Sequence, residues 1–260
     1  MTADPRPPVR CEELGDVTLV TLDRPDDGNA LGADMVTELS RTTAALRATG
    51  RARAVVLTGA GRTFCTGADL AELAALGRRR ATGELIELTD ALASVVRDLR
   101  ALACPVIAAV NGVAAGAGFS LALACDLRLA SDRSAFHFAY GALGSSTDGG
   151  MSWFLPRIVG TARALTLLLE QPVLRAPAAR ELELVSEVVP AADLLDVALR
   201  RGRALAQQAT HTVRAAKSLL DLSACLSLES HLRAEHDEVV KGLMGADVRR
   251  ELEARRHRTR

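Results

Sequence analysis

The chain has 260 residues, a length that one α/β unit can fold around a single core. Its 32 basic and 32 acidic residues cancel, so no charge argument directs it to nucleic acid or to an anionic membrane. Aromatic residues make up 3% against a hydrophobic fraction of 48%, which points to a core of small aliphatic side chains. Residues 1–10 (MTADPRPPVR) are Pro-rich, lack the apolar run of a signal peptide, and read as a disordered tail. The alternating run VTLVTL at 17–22 predicts a strand, ended by the turn residues DRPDDG. Leu31, Met35, Leu39 and Leu46 predict a helix over 31–46, followed by a short strand over 54–57 that closes on Thr58-Gly59-Ala60-Gly61. Helices are expected over 71–76 and 85–102. The unbroken apolar run 105–110 predicts a buried strand, 119–125 a helix after a glycine turn, and 127–130 another strand. Beyond residue 152 the pattern is helical, over 153–159, 162–169, 176–184, 192–208, 211–222 and 228–244.

This order places an α/β catalytic domain over 11–200 and a helical region over 201–260. The late helices have no strands of their own to cover them, so a neighbouring subunit is the expected cover. The longest apolar stretch, 104–130, is interrupted by Asn111, Gly112, Gly116, Gly118, Ser120, Asp126 and Arg128 and is no membrane span. The five cysteines (Cys11, Cys65, Cys104, Cys125, Cys225) are scattered and lack CxxC spacing. That points to a reduced cytoplasmic compartment and gives no metal site. The basic stretch 249–260 reads as a solvated helix end.

Two glycine-rich turns carry the chemistry: Phe64-Cys65-Thr66-Gly67-Ala68-Asp69-Leu70, and the run from Asn111 through Gly116, Ala117 and Gly118 to Ser120. Each joins a strand-like run to a helix-like run. Small residues let a ligand approach the backbone there, and free N–H groups at a helix start favour negative charge. Two such turns can aim two N–H groups at one developing oxyanion. The glycine spacing GxxxGxG at 112–118 differs from the dinucleotide pattern GxGxxG, and no Gly-Lys-Ser/Thr ending makes a P-loop. Tight strand-to-helix packing is the alternative reading of either loop alone.

Four segments extend this reading. They are Arg24-Pro25 before Asn29-Ala30-Leu31, VVLTGAGRTFCTGADL at 55–70, CPVIAAVNGVAAGAGFSLALACDLRLAS at 104–131, and LPRIVG at 155–160. In this order and spacing the chain resembles the crotonase (enoyl-CoA hydratase/isomerase) superfamily from about residue 17 to 220. The resemblance implies a spiral of ββα units with a helical C-terminal portion, and an acyl-CoA thioester substrate of fatty or aromatic type. It also implies no cofactor apart from the coenzyme A of the substrate, and a homotrimer or dimer of trimers. It assigns the oxyanion N–H groups to Ala68 and Ala117, the latter where many members have glycine. Coenzyme A contacts fall on Arg24, Thr66, Gly67, Asp69 and Leu70. For Arg24 and Asp69, turn-making and loop-fixing are the alternatives. Gly116, Ser120, Tyr140 and Trp153 are expected at the substrate, with Phe119, Phe138 and Phe154 lining the same pocket. His137 is expected at a surface or subunit contact, and Arg78-Arg79-Arg80 in a solvated loop.

The departures bear on the reaction. The two glutamates with which hydratases of the superfamily hold a water are replaced by Ser120 and Tyr140, and neither is a carboxylate base at neutral pH. Asp148, in SSTDGG at 145–150, aligns with the single acid of double-bond and ring-epoxide isomerases. It also aligns with the nucleophile of 4-chlorobenzoyl-CoA dehalogenase, whose histidine position falls on Ala93. The alternatives for Asp148 are a cap on the helix near Ser152 or a simple turn. Three functions follow: an isomerase with Asp148 as acid and base, a hydratase with a non-standard site, and a coenzyme A thioester binder without chemistry. GADVRREL at 245–252 stands where the superfamily often carries Glu-Gly-x-x-Ala-Phe.

Overall fold

The computed structural model describes residues 6–245 and 248. A six-stranded sheet runs in the order β1 (Val9–Leu14), β2 (Val17–Leu22), β3 (Ala54–Gly59), β5 (Val106–Val110), β7 (Leu127–Ser131) and β10 (Glu187–Val189). Only the β1–β2 pair in it is antiparallel. A four-stranded sheet follows the order β4 (Thr63–Cys65), β6 (Val113–Ala115), β8 (Ala135–His137) and β9 (Leu174–Arg175). The helices are α1 (Ala33–Thr49), α2 (Leu70–Arg79), α3 (Thr82–Ala101), α4 (Ala117–Ala124), α5 (Met151–Val159), α6 (Thr161–Glu170), α7 (Ala176–Glu181), α8 (Leu194–Ala206), α9 (Thr210–Ser223) and α10 (Leu228–Leu243). The units β3-β4-α2, β5-β6-α4 and β7-β8-α5 each place their first strand in the large sheet and their second in the small one. This is the expected spiral.

Every residue of β3 and β5 is buried, because helices cover both faces of the large sheet. The core on one side gathers Leu22, Leu39, Leu57, Val95 and Phe119. The core on the other holds Val17, Val56, Ile107 and Leu129 under α8. Burying each such side chain stabilises the fold by about 1.5–3 kcal/mol. The corner between successive strands is tight: a Cβ at Gly112 would stand 1.9 Å from the carbonyl oxygen of Arg62. Asn111 ties that corner, donating to Gly61 O (3.1 Å) and Thr63 O (3.3 Å) and accepting from Gly59 N (3.2 Å).

The structure revises the N-terminal boundary. Val9 and Arg10, read as tail, pair with Leu22 and Thr21 in β1, while residues 1–5 lie outside the described residues. The strands β4, β6 and β8 were not legible in the sequence, and the helix expected over 71–76 extends over Leu70–Arg79. The basic stretch 249–260 falls outside the described residues, as does most of 245–252. Among the described residues no helix is long and apolar enough to cross a membrane.

Within the helical region, α9 is moored to the core through Lys217 and Arg100. Lys217 pairs with Asp126 (2.8 Å) and donates to Cys104 O (3.1 Å) and Leu99 O (3.4 Å). Arg100 then bridges Asp126 (3.0 Å) and Asp221 (2.7 Å). Lys217→Met is expected to cost about 3 kcal/mol, the size seen when one partner of a sheltered ion pair is removed. Urea unfolding at neutral pH measures it. By contrast α10 has no buried residue and exposes Leu228, Leu232, Val239 and Leu243.

Candidate active site

The first turn leaves β4 and enters α2. Thr66 N donates to Gly28 O (3.0 Å), and Leu31 N donates to Gly67 O (2.7 Å), so residues 66–68 lie beside the segment before α1. Asp69 ends the turn as the N-cap of α2, its Oδ1 accepting from Ala71 N (2.9 Å) and Glu72 N (3.0 Å). The carboxylate therefore fixes the loop, the alternative weighed for Asp69 beside a coenzyme A contact.

The second turn leaves β6 and enters α4. Gly116 holds φ 48° and ψ −122°, and its N–H donates to His137 O (3.0 Å). Ala117 is the first helical residue, so its N–H has no partner within the helix. Among the described residues neither Ala68 N–H nor Ala117 N–H donates a hydrogen bond. The two turns abut: Gly67 has φ +86°, and a Cβ there would stand 2.6 Å from Ala115 O and 3.3 Å from Ala117 N. Only glycine lets the backbones approach this closely.

Asp148 lies in the turn before α5, packed against α4. Gly149 (φ +54°) and Gly150 (φ +86°) turn the chain sharply before α5. A Cβ at Gly149 would meet Ser120 Cβ at 2.8 Å and Leu92 Cδ2 at 3.7 Å, so the turn is pressed between α4 and α3. The side chain of Asp148 does not cap α5, whose N-cap is Gly150. Instead its Oδ1 accepts from the Tyr140 hydroxyl (3.0 Å). Ser120 Oγ lies 2.8 Å from that hydroxyl and 2.9 Å from the backbone oxygen of Asp148. Burial raises the pKa of Asp148 above the ordinary aspartate value, while the Tyr140 hydrogen bond opposes the rise. Burial and the charge of Asp148 push the Tyr140 phenol well up, so it remains a donor. Burial first, and then the Asp148 charge, push the Cys65 thiol up to about 12, so it stays a thiol.

Other expected residues are dispersed. Arg24 and Asp69 line a polar cavity of about 310 Å³ with Asp27, Gly32 and Glu72, and Leu70 is exposed beside it. The expected aromatic pocket is not formed. Phe119 and Phe138 are buried in the core, with Phe136 at 5.1 Å and Phe138 at 5.6 Å from the Phe119 ring. Because α4 is buried on every side, Phe119 turns inward rather than toward a ligand. Trp153 faces outward, with the Arg157 guanidinium 3.8 Å from its ring centre and Phe154 edge-on at 4.8 Å. It opens onto a separate cleft of about 640 Å³ with Arg97, Phe154, Lys217 and Gly150. His137 is half-buried in β8, and Arg79 is exposed and pairs with Glu84. Sequence reasoning missed Glu72, whose Oε2 accepts from Ala33 N (2.9 Å) at the start of α1. Its spacing from Asp69, D-x-x-E before a helix, is a capping signal.

Residues 12–256 match the family described as enoyl-CoA hydratase/isomerase. The chain belongs to that family. A Rhodobacter capsulatus relative named "Probable enoyl-CoA hydratase" is 39% identical over 87% of this chain and 88% of its own length. The 1,2-epoxyphenylacetyl-CoA isomerase of Escherichia coli is 35% identical over 93% of this chain and 92% of its own. A crystal structure of an enoyl-CoA hydratase from Polaromonas superposes with a TM-score of 0.90 at 34% identity, covering 96% of this chain and 97% of that one. Family membership thus rests on nearly the whole chain of this hydratase/isomerase homologue, and hydratase and isomerase names both occur among its relatives.

Proposed function

We propose that the enzyme is an enoyl-CoA isomerase in which Asp148 moves a proton between C2 and C4 of an unsaturated acyl-CoA, with ring-epoxide thioesters as a variant substrate. The observation that carries this is the occupation of the site by one carboxylate and two hydroxyls. Ser120 and Tyr140 stand where two-glutamate hydratases carry their acids, and their hydroxyls bond each other and Asp148. Asp148 breaks the C2–H bond and takes the proton. The electron pair spreads into a dienolate, whose oxygen is held by Ala68 N–H and Ala117 N–H. The carboxyl then returns the proton to C4, and the double bond moves from C3–C4 to C2–C3. Burial makes Asp148 a stronger base than a solvated aspartate, which matches the weak acidity of the carbon.

The coenzyme A arm runs past Arg24, Thr66, Gly67, the backbone of Asp69, and Leu70, and is part of the substrate rather than a separate cofactor. Gly116 gives the thioester room at α4. The distal acyl group enters the cleft bounded by Gly150, Trp153 and Phe154. The uncovered apolar side chains of α10 fit packing against further copies in a trimer or dimer of trimers, within the cytoplasm.

The hydratase names of relatives favour a second reading, in which Ser120 or Tyr140 holds a water for addition to a 2-enoyl thioester. One experiment separates the readings: saturated, 2-enoyl and 3-enoyl thioesters are incubated in heavy water and followed by NMR. Interconversion of the two enoyl forms, with deuterium entering at C2 and C4, is expected. Hydration of crotonyl-CoA as the main reaction would replace the isomerase reading. No exchange above background would leave a thioester binder.

A further inference from the structure

We infer that Tyr140, oriented by Ser120, is a positioning residue that keeps Asp148 ionised and leaves one of its oxygens free to take the substrate proton. This rests on Asp148 being the base, and it adds what sets that base. The hydrogen count fixes the direction of the chain. Tyr140 has one hydroxyl hydrogen, and an ionised carboxylate only accepts, so that hydrogen goes to Asp148 Oδ1 at 3.0 Å. The one hydrogen of Ser120 is then shared between the Tyr140 oxygen at 2.8 Å and the backbone oxygen of Asp148 at 2.9 Å. Ser120 lies one turn into α4 from Ala117, so the chain from Ser120 through Tyr140 to Asp148 is registered to the second oxyanion turn. Oδ1 is held, and Oδ2 is left as the oxygen that exchanges protons with carbon.

Besides Tyr140, the backbone N–H of Asp148 itself supports the charge, as the lesser of the two donors. α3 presents Leu92 to this turn and α4 presents Ser120, neither of which titrates. β4 contributes Cys65, which stays protonated. Among the described residues no cation is among the groups that act on Asp148. The Tyr140 hydroxyl is therefore the side-chain donor that opposes burial.

The test follows the Asp148 carboxyl by 13C NMR across pH in the wild-type enzyme, Tyr140→Phe and Ser120→Ala, with Asp148→Asn assigning the signal. Tyr140→Phe is expected to raise the Asp148 titration by about one pH unit, the size of a hydrogen bond to a charged group. The acid limb of kcat/KM should move upward with it, and KM should hold. Ser120→Ala should shift both in the same direction by less. A Tyr140→Phe enzyme that is less stable but whose Asp148 titration is unmoved overturns the inference, since a packing role would do only that. If Asp148→Asn is inactive while that titration is unmoved, this inference falls and the base assignment stands. If Asp148→Asn keeps full activity, the base assignment falls and takes the inference with it.

Discussion

Asp148→Asn is expected to lower isomerase turnover by about 10²–10⁴-fold, the range carried by a positioned acid–base group. Asparagine keeps the shape, and its carbonyl oxygen can still accept from Tyr140, but it cannot take a proton from carbon. Stability should move the other way. The folded Asp148 carboxyl is harder to ionise than the unfolded one, because burial raises its pKa from the ordinary 3.8. As pH rises from that value through the folded one, the unfolded chain loses its proton first, and ionising the buried group costs the folded state. Asparagine carries no such cost, so the variant should match the wild type in acid and gain on it toward neutrality. Thermal midpoints at several pH values, measured beside the steady-state rate, check both halves. A carboxylate that served only the turn would show the reverse: retained activity and lost stability.

Ala117→Pro is expected to lower kcat by about 10²–10³-fold, the loss found when one oxyanion donor is removed. The position suits the substitution. Ala117 is the first residue of α4, where proline's fixed φ fits a helix and the missing N–H breaks no helical bond. The donor is removed while the helix is kept. Helix content by circular dichroism and the thermal midpoint show whether the enzyme has folded, and kcat on a 3-enoyl thioester reports the donor. Wild-type turnover in a folded Ala117→Pro enzyme would take this N–H out of the oxyanion site.

Much of the frame is legible in the chain because it rests on local pattern. VTLVTL at β2 alternates, VIAAV at β5 is apolar throughout, and both are flanked by turn residues, so they read as strands wherever they sit. The capping of α2 by Asp69 involves neighbours two and three residues on and is equally local. The short strands are different. TFC, VAA and AFH are three residues each, with no period to detect, and become strands through the partners that the spiral brings alongside. VRCEEL in β1 is mostly exposed and polar, and its pairing with β2 makes it a strand. Trp153 shows the limit for sites: its type suggests a ligand contact, but only the phase of α5 sets it against Arg157 on the cleft it shares with Gly150 and Phe154.

What the sequence determined by itself was the family's turns, the loss of both usual acids, and a remaining aspartate in SSTDGG. These are matters of residue type and spacing along one chain. Only the tertiary structure decided where that aspartate lies and what it touches. Ser120 lies 28 residues from Asp148 and Tyr140 lies eight, and the glycine turn at 149–150 presses the three together. Burial and the Tyr140 hydroxyl, both products of packing between distant segments, shift its proton affinity in opposite directions.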